Sequence, residues 1–178
     1  MKALAIYEKV LGTEHPDTAQ TYNNIASVYY NQGRYDDALV WFMKALAIRE
    51  NVLGKEHPST ATTYNNIALV YKNQGRYEDA LEWYMKAISI REKVQGKEHP
   101  DIATNYNNIA VVYDNQGRYD EALVWYNKAL VIWEAVLGQE HPNTITVYKN
   151  IAVTYYNMGN QAEALKWLEK AELGGGAE

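Results

Sequence analysis

The chain has 178 residues, 47% of them hydrophobic, which is enough apolar content to bury a continuous core. A formal net charge of −5 gives no electrostatic footprint for nucleic acid or an anionic membrane surface. The absence of cysteine excludes a disulfide framework and thiolate chemistry, and is compatible with a cytoplasmic setting.

Met1-Lys2-Ala3-Leu4-Ala5-Ile6 begins like a secretory leader, but Glu8 and Lys9 cut the apolar run too short for one. Met1 to Leu11 align instead with Met43 to Leu53, so residues 1–12 read as the latter part of a repeated helix, termed helix B. From there the chain repeats itself. Glu-His-Pro stands at Glu14-His15-Pro16, Glu56-His57-Pro58, Glu98-His99-Pro100 and Glu140-His141-Pro142, a constant spacing of 42. Tyr-Asn-Asn-Ile-Ala recurs from Tyr22, Tyr64 and Tyr106, and returns as Tyr148-Lys149-Asn150-Ile151-Ala152. A fixed period of this size marks one supersecondary unit stacked on copies of itself. The copies run over 17–58, 59–100, 101–142 and 143–173, giving one repeat domain over 1–173. The glycine-rich residues 174–178 read as a flexible tail. A start midway through helix B reads as excision from a longer array, or as trimming or design. It leaves part of the first copy uncovered, so this end is expected to associate with another copy.

Within the copy 17–58, Tyr22, Ile25, Ala26 and Tyr29 fall at i, i+3, i+4 and i+7, one stripe of a helix A near 17–31. Pro16 precedes it, and Asp17 puts negative charge at the positive end of its dipole. Gly33 supplies a left-handed close. A second stripe at Ala38, Leu39, Phe42, Ala45, Leu46 and Ile48 predicts helix B near 35–53, stopped by Gly54. His57, ahead of a proline, avoids helical angles and belongs to the linker. Neither helix buries its stripe alone, so the neighbouring copy completes the core, and the predicted class is all-α, an α-solenoid of antiparallel helix pairs. No apolar run approaches the ~18 residues of a membrane span.

These residues resemble the tetratricopeptide repeat. The first copy gives Tyr22, Ile25-Ala26, Tyr29, Gly33-x-Tyr35, Ala38, Phe42 and Ala45. The next two match through Tyr64, Tyr71, Gly75, Tyr77, Ala80, Tyr84 and Ala87, then Tyr106, Tyr113, Gly117, Tyr119, Ala122, Tyr126 and Ala129. The fourth has Tyr148, Tyr155, Gly159, Ala162, Ala164 and Leu168, with Asn160-Gln161 where Arg-Tyr stood. The 42-residue period and the Leu-Gly-x-Glu-His-Pro connection look like the repeats of kinesin light chains and of many bacterial repeat proteins. The resemblance implies a right-handed superhelix with the A helices lining its inner face. It also implies a non-catalytic module that binds proteins or peptides there.

The face of helix A opposite the buried stripe carries Asn23, Asn24, Ser27, Tyr30 and Asn31 in the first copy. The second copy presents Asn65, Asn66, Leu69, Lys72 and Asn73. The third presents Asn107, Asn108, Val111, Asp114 and Asn115, and the fourth Lys149, Asn150, Val153 and Tyr156. The columns at 27/69/111/153 and 30/72/114/156 vary between copies while the framework columns scarcely change. One reading is a peptide groove with constant amides and variable specificity positions. An Asn side chain offers two donors and a carbonyl acceptor, and related proteins use such an asparagine ladder against a peptide backbone. The other reading is that exposed positions drift and that Asn assists helix packing. Lys72 and Lys149 are balanced by Asp114. Neither the terminal-carboxylate ligand of chaperone-binding relatives nor the tryptophan-acidic ligand of kinesin light chains follows for this chain.

His15, His57, His99 and His141 suggest a metal, but zinc needs ligands converging at ~2 Å, and equivalent positions in successive helix pairs stand about 10 Å or more apart. They read as linker residues. Trp41, Trp83, Trp125 and Trp167 read as packing between copies. Asp36-Asp37, Glu78-Asp79 and Asp120-Glu121 lie in the first turn of helix B, where negative charge complements the dipole. No nucleophile motif or phosphate loop appears, so no catalytic residue, metal or cofactor is assigned. The leading expectation is a protein-interaction module binding an extended peptide in a concave groove. The alternatives are a structural or designed scaffold that self-associates through its ends, and the sensor segment of a larger signalling protein.

Overall fold

The structure, a computed structural model, describes residues 12–175. The helix B remnant expected over 1–12 lies outside the described residues, apart from Gly12 at its edge. Among the described residues there are eight helices and no strand. They are α1 (Pro16–Asn31), α2 (Tyr35–Val52), α3 (Pro58–Asn73), α4 (Tyr77–Gln95), α5 (Pro100–Asn115), α6 (Tyr119–Leu137), α7 (Pro142–Asn157) and α8 (Gln161–Gly175). Odd-numbered helices are the A helices and even-numbered ones the B helices. The chain divides into two compact units, residues 1–94 and 95–178.

The Glu-His-Pro motif starts every A helix. Proline takes the first helical position, where no N–H is needed. The preceding histidine is not passive linker: it is the N-cap, with extended backbone angles. Its Nδ1 accepts the N–H two residues on, from Asp17 at 3.2 Å, Ser59 at 3.1 Å, Asp101 at 3.2 Å and Asn143 at 3.1 Å. Two residues beyond the prolines of α1, α3 and α7, Thr18, Thr60 and Thr144 donate back to the carbonyls of Gly12, Gly54 and Gly138 at 2.8–2.9 Å. These bonds fix the angle at which the chain enters the helix. Removing an N-cap acceptor costs about 0.5–2 kcal/mol. His57→Ala is therefore expected to lower the thermal midpoint while His57→Asn retains it. An unchanged midpoint in His57→Ala would show that the cap is dispensable.

Each A helix closes on a left-handed glycine, Gly33, Gly75, Gly117 or Gly159. Gly33 has φ 72°, its N–H reaches Tyr30 O at 2.9 Å, and Arg34 N–H reaches Tyr29 O at 2.9 Å. The Arg34 guanidinium then lies 4.3 Å from the Tyr29 ring centroid and pairs with Asp37 at 2.7 Å. Arg76 with Tyr71 and Asp79, and Arg118 with Tyr113 and Glu121, repeat the arrangement. In the fourth copy the arginine is gone, and Asn160 Oδ1 accepts the N–H of Glu163 at 3.2 Å to begin α8. That explains the Asn160-Gln161 exchange noted in the sequence.

In unit 1, Ala26, Ala38, Phe42 and Leu46 pack with Ala61, Tyr64, Ile67 and Val70 of α3. Alanines at the closest approaches let the helices meet, and the aromatics fill the space beside them. In unit 2 Ala110, Ala122, Tyr126 and Leu130 take the same columns and pack with Val147, Tyr148 and Ile151 of α7. The tryptophans, expected to pack between copies, also pack within one: Trp41 borders the cluster that α3 shares with α1 and α2. Each lies against a tyrosine of its own helix pair, with ring centroids 5.3 Å apart for Trp41–Tyr22 and 5.4 Å for Trp125–Tyr106. A lysine three residues on, Lys44 or Lys128, covers the indole at 4.5 and 3.9 Å. The column therefore also ties helix A to helix B within a copy. Of the tail expected over 174–178, Gly174 and Gly175 are the last residues of α8, and 176–178 lie outside the described residues.

Candidate functional site

Within unit 1, α1 and α3 meet over a cavity of about 180 Å³. Ser27, Tyr30 and Asn31 come from α1, Asn66 and Leu69 from α3, and Phe42 of α2 joins them. Five of these six are residues that the repeat comparison singled out. Phe42 was assigned to packing alone, because an apolar i, i+3 stripe does not reveal which member underlies an opening.

The asparagines tie the A helices of a unit together. Asn66 Nδ2 donates to Asn23 Oδ1 at 3.1 Å, and in unit 2 Asn150 Nδ2 donates to Asn107 Oδ1 at 3.1 Å. Asn73 Nδ2 donates to the Tyr30 hydroxyl at 2.6 Å. Asn66 Oδ1 also accepts from Asn65 Nδ2 at 3.4 Å, while exposed Asn24 accepts from Gln20 at 2.9 Å. Asn23 and Asn65 are buried, each 9% exposed. Of the two readings left open for these columns, helix packing is seen directly at both inter-repeat pairs. An amide has two N–H groups, so Asn66 and Asn150 each keep a second one beyond these bonds.

Electrostatics differ between the units. In unit 1, burial pushes the Tyr30 hydroxyl up from its ordinary value, and the Asn73 amide partly offsets it. Burial lowers the Lys72 ammonium. In unit 2 the column of Tyr30 holds Asp114, whose carboxyl burial pushes up against the hydrogen bond from Thr154. Its Oδ1 is buried with no hydrogen-bond partner. Val111 is partly buried in the unit 2 core, Asn108 is half-buried, and Asn115 and Lys149 are exposed. Val153 and Tyr156 line a separate apolar groove with residues of α8. The candidate residues therefore gather around one small polar-aromatic cavity in unit 1. In unit 2 they spread over a face with a desolvated carboxylate.

Antiparallel helix pairs repeated at a fixed period, with asparagine pairs joining successive A helices within a unit, define an all-α repeat module of the α-solenoid class. The sequence pattern of the tetratricopeptide repeat matches residues 1–51, 17–93, 59–130 and 101–172, and the chain belongs to that family. It is similar to the crystal structure of BtubC (BKLC) from P. vanneervenii, with 27% identity and a TM-score of 0.81 over 90% of this chain. The chain spans 64% of that protein's length. A putative kinesin light chain of Podosopora anserina with nearly identical TPR-like repeats has 26% identity and a TM-score of 0.78, covering 97% of this chain and 82% of that one. Aspartyl phosphate phosphatase F from Bacillus subtilis shares the fold at 18% identity, with a TM-score of 0.80 over 89% of this chain and 40% of its own. No curated protein matches the sequence. Tetratricopeptide repeats in general mediate protein–protein interaction and are generally non-catalytic scaffolds. Among the described residues no helix is long and apolar enough to cross a membrane.

Proposed function

We propose that this chain is a non-catalytic module that holds an extended peptide of another protein against the inner faces of its A helices. The observation that carries the reading is the cavity shared by Ser27, Tyr30, Asn31, Asn66 and Leu69. It offers an apolar floor at Phe42 and Leu69 for one side chain. The hydroxyls and amides around it can meet the peptide backbone. Paired asparagines fix the spacing of these groups before any ligand arrives, which lowers the ordering cost of binding. In unit 2 the corresponding face carries Asn108, Val111, Asp114 and Asn150, a different character that suits a different segment of ligand. A cytoplasmic setting is part of this reading, with which the cysteine-free composition is compatible.

A peptide-library screen against the chain and its Asn66→Ala/Asn108→Ala double variant tests it. Selected peptides are expected to bind the double variant at least about tenfold more weakly, a difference of about 1.4 kcal/mol. Equal affinity for both proteins would refute a role for the amides.

A further inference from the structure

Positions that line the cavity of unit 1 recur in unit 2 with a different chemistry. Two periods on from Ser27, Tyr30, Phe42 and Asn66 stand Val111, Asp114, Tyr126 and Asn150. The frame that holds them is the same, since the amide bond between A helices is 3.1 Å long in both units. Three columns turn polar together. Tyr30 gives way to Asp114, Phe42 to Tyr126, and fully buried Val70 to fully buried Thr154. Thr154 hydrogen-bonds the Asp114 carboxyl and donates to the Asn150 carbonyl at 2.9 Å. Asp114 in turn acts electrostatically on the Tyr126 hydroxyl. The carboxylate nevertheless stands in an unfavourable field. It sits one residue from the end of α5, where the helix dipole disfavours negative charge, and the last turn of α5 carries no basic residue. Burial opposes the charge as well, and among the described residues no Lys, Arg or His pairs with it. Its Oδ1 has no hydrogen-bond partner.

We propose that unit 2 selects a basic side chain of the bound peptide, a lysine or arginine whose cationic head meets the Asp114 carboxylate. This rests on peptide binding by the A helices, and adds to it the charge of one ligand residue. A cation supplies everything the carboxylate lacks: a donor for Oδ1, and a positive charge to offset burial and the helix dipole. Water or a neutral side chain supplies a donor alone. A metal ion needs several ligands, and among the described residues no three His, Asp or Glu gather to hold one. Asp114 as a whole is only half-buried, so its carboxyl can turn toward an arriving group. The apolar stem of a lysine or arginine can lie along Val111 while its head reaches the acid. A second acceptor stands beside it. In unit 1 Asn65 donates to Asn66 Oδ1, and in unit 2 exposed Lys149 stands in place of that donor, which leaves Asn150 Oδ1 for the ligand. Unit 1 carries neutral Tyr30 in the acid's place, so the preference belongs to unit 2.

Screening the peptide library against the full chain and against Asp114→Asn, which keeps the shape and removes the charge, tests this. Peptides selected by the unmodified chain are expected to carry Lys or Arg at one fixed position, and Asp114→Asn is expected to lose that enrichment. In one selected peptide, norleucine in place of that residue weakens binding to the unmodified chain about tenfold. The same replacement changes binding to Asp114→Asn by less than about twofold, which ties the loss to this pair. Asp114→Asn keeps a thermal midpoint at or above that of the unmodified chain, so weaker binding is not lost folding. Selected peptides without a fixed basic residue, or with one whose effect survives in Asp114→Asn, would overturn the inference and leave peptide binding standing. A chain that selects no peptide would remove the reading beneath it, and the inference with it.

Discussion

Ile67→Ala is expected to lower the free energy of unfolding by about 2–5 kcal/mol, among the largest effects of any single substitution in this chain. Ile67 is fully buried on α3 and packs in one cluster with Phe42, Leu46 and Val70. Deleting its outer carbons removes transfer free energy and leaves a void that the surrounding residues cannot fill. Ala26, Ala38 and Ala61, all fully buried, already set the closest helix approaches, so the neighbours cannot move in to close the void. Stability of a stacked array comes from each pair and from its contact with the next, so the loss strikes both at once. Urea unfolding followed by circular dichroism measures it. A loss below about 1 kcal/mol would mean that α3 is not clamped as described.

The second large effect has the opposite sign. Tyr84 is fully buried on α4, and its hydroxyl has no hydrogen-bond partner. Burial, with a smaller push from the nearby Tyr30, raises that hydroxyl far above its ordinary range. An unsatisfied buried hydroxyl costs about 1–3 kcal/mol, and Tyr84→Phe is expected to return that amount as added stability. The chain supplies its own precedent, since the same column holds Phe42 in the first copy. The same unfolding experiment reads it. Destabilisation by Tyr84→Phe would show that the hydroxyl is bonded after all. Tyr148 is the contrast: its hydroxyl donates to Glu134, which also accepts from Lys170 at 2.8 Å. Burial opposes the charge on Glu134, but Lys170 and Tyr148 outweigh it and hold the carboxyl below its usual range.

Much of this architecture is legible in the sequence because the repeat supplies four readings of one pattern. The stripes at Tyr22, Ile25, Ala26 and Tyr29 and at Ala38, Phe42 and Ala45 gave both helices of a pair to within a residue. Gly33 marked the turn through its backbone freedom. Roles that depend on a single atom were not legible. The histidine of Glu-His-Pro reads as linker until its Nδ1 is seen accepting an N–H, because histidine is an uncommon cap beside Ser, Thr, Asp and Asn. The Thr-to-Gly tie six residues back has no periodic signature. Tryptophan on helix B reads as packing between copies, and only the Trp41–Tyr22 geometry shows that it also meets its own helix pair.

The candidate site was legible as a face but not as a cavity. Comparing columns 27/69/111/153 and 30/72/114/156 singled out Ser27, Tyr30 and Leu69, which line one cavity, since solvent-facing columns vary where framework columns do not. The comparison could not show that Asn23 pairs with Asn66, a bond spanning 43 residues. Nor could it show that Val153 and Tyr156 face an apolar groove instead of an amide pair. Those facts rest on which neighbour each copy has, and that is not written in the copy itself.

Peptide recognition on the inner face is the claim on which the functional account stands. The most direct measurement is an amide and side-chain amide nuclear magnetic resonance titration of the labelled chain with a peptide from the library screen. The account predicts that the strongest shifts fall on Ser27, Tyr30, Asn31, Asn66 and Leu69, including the side-chain NH₂ of Asn66. Shifts confined to the outer surfaces of α2 and α4, with the Asn66 side chain unmoved, would contradict it.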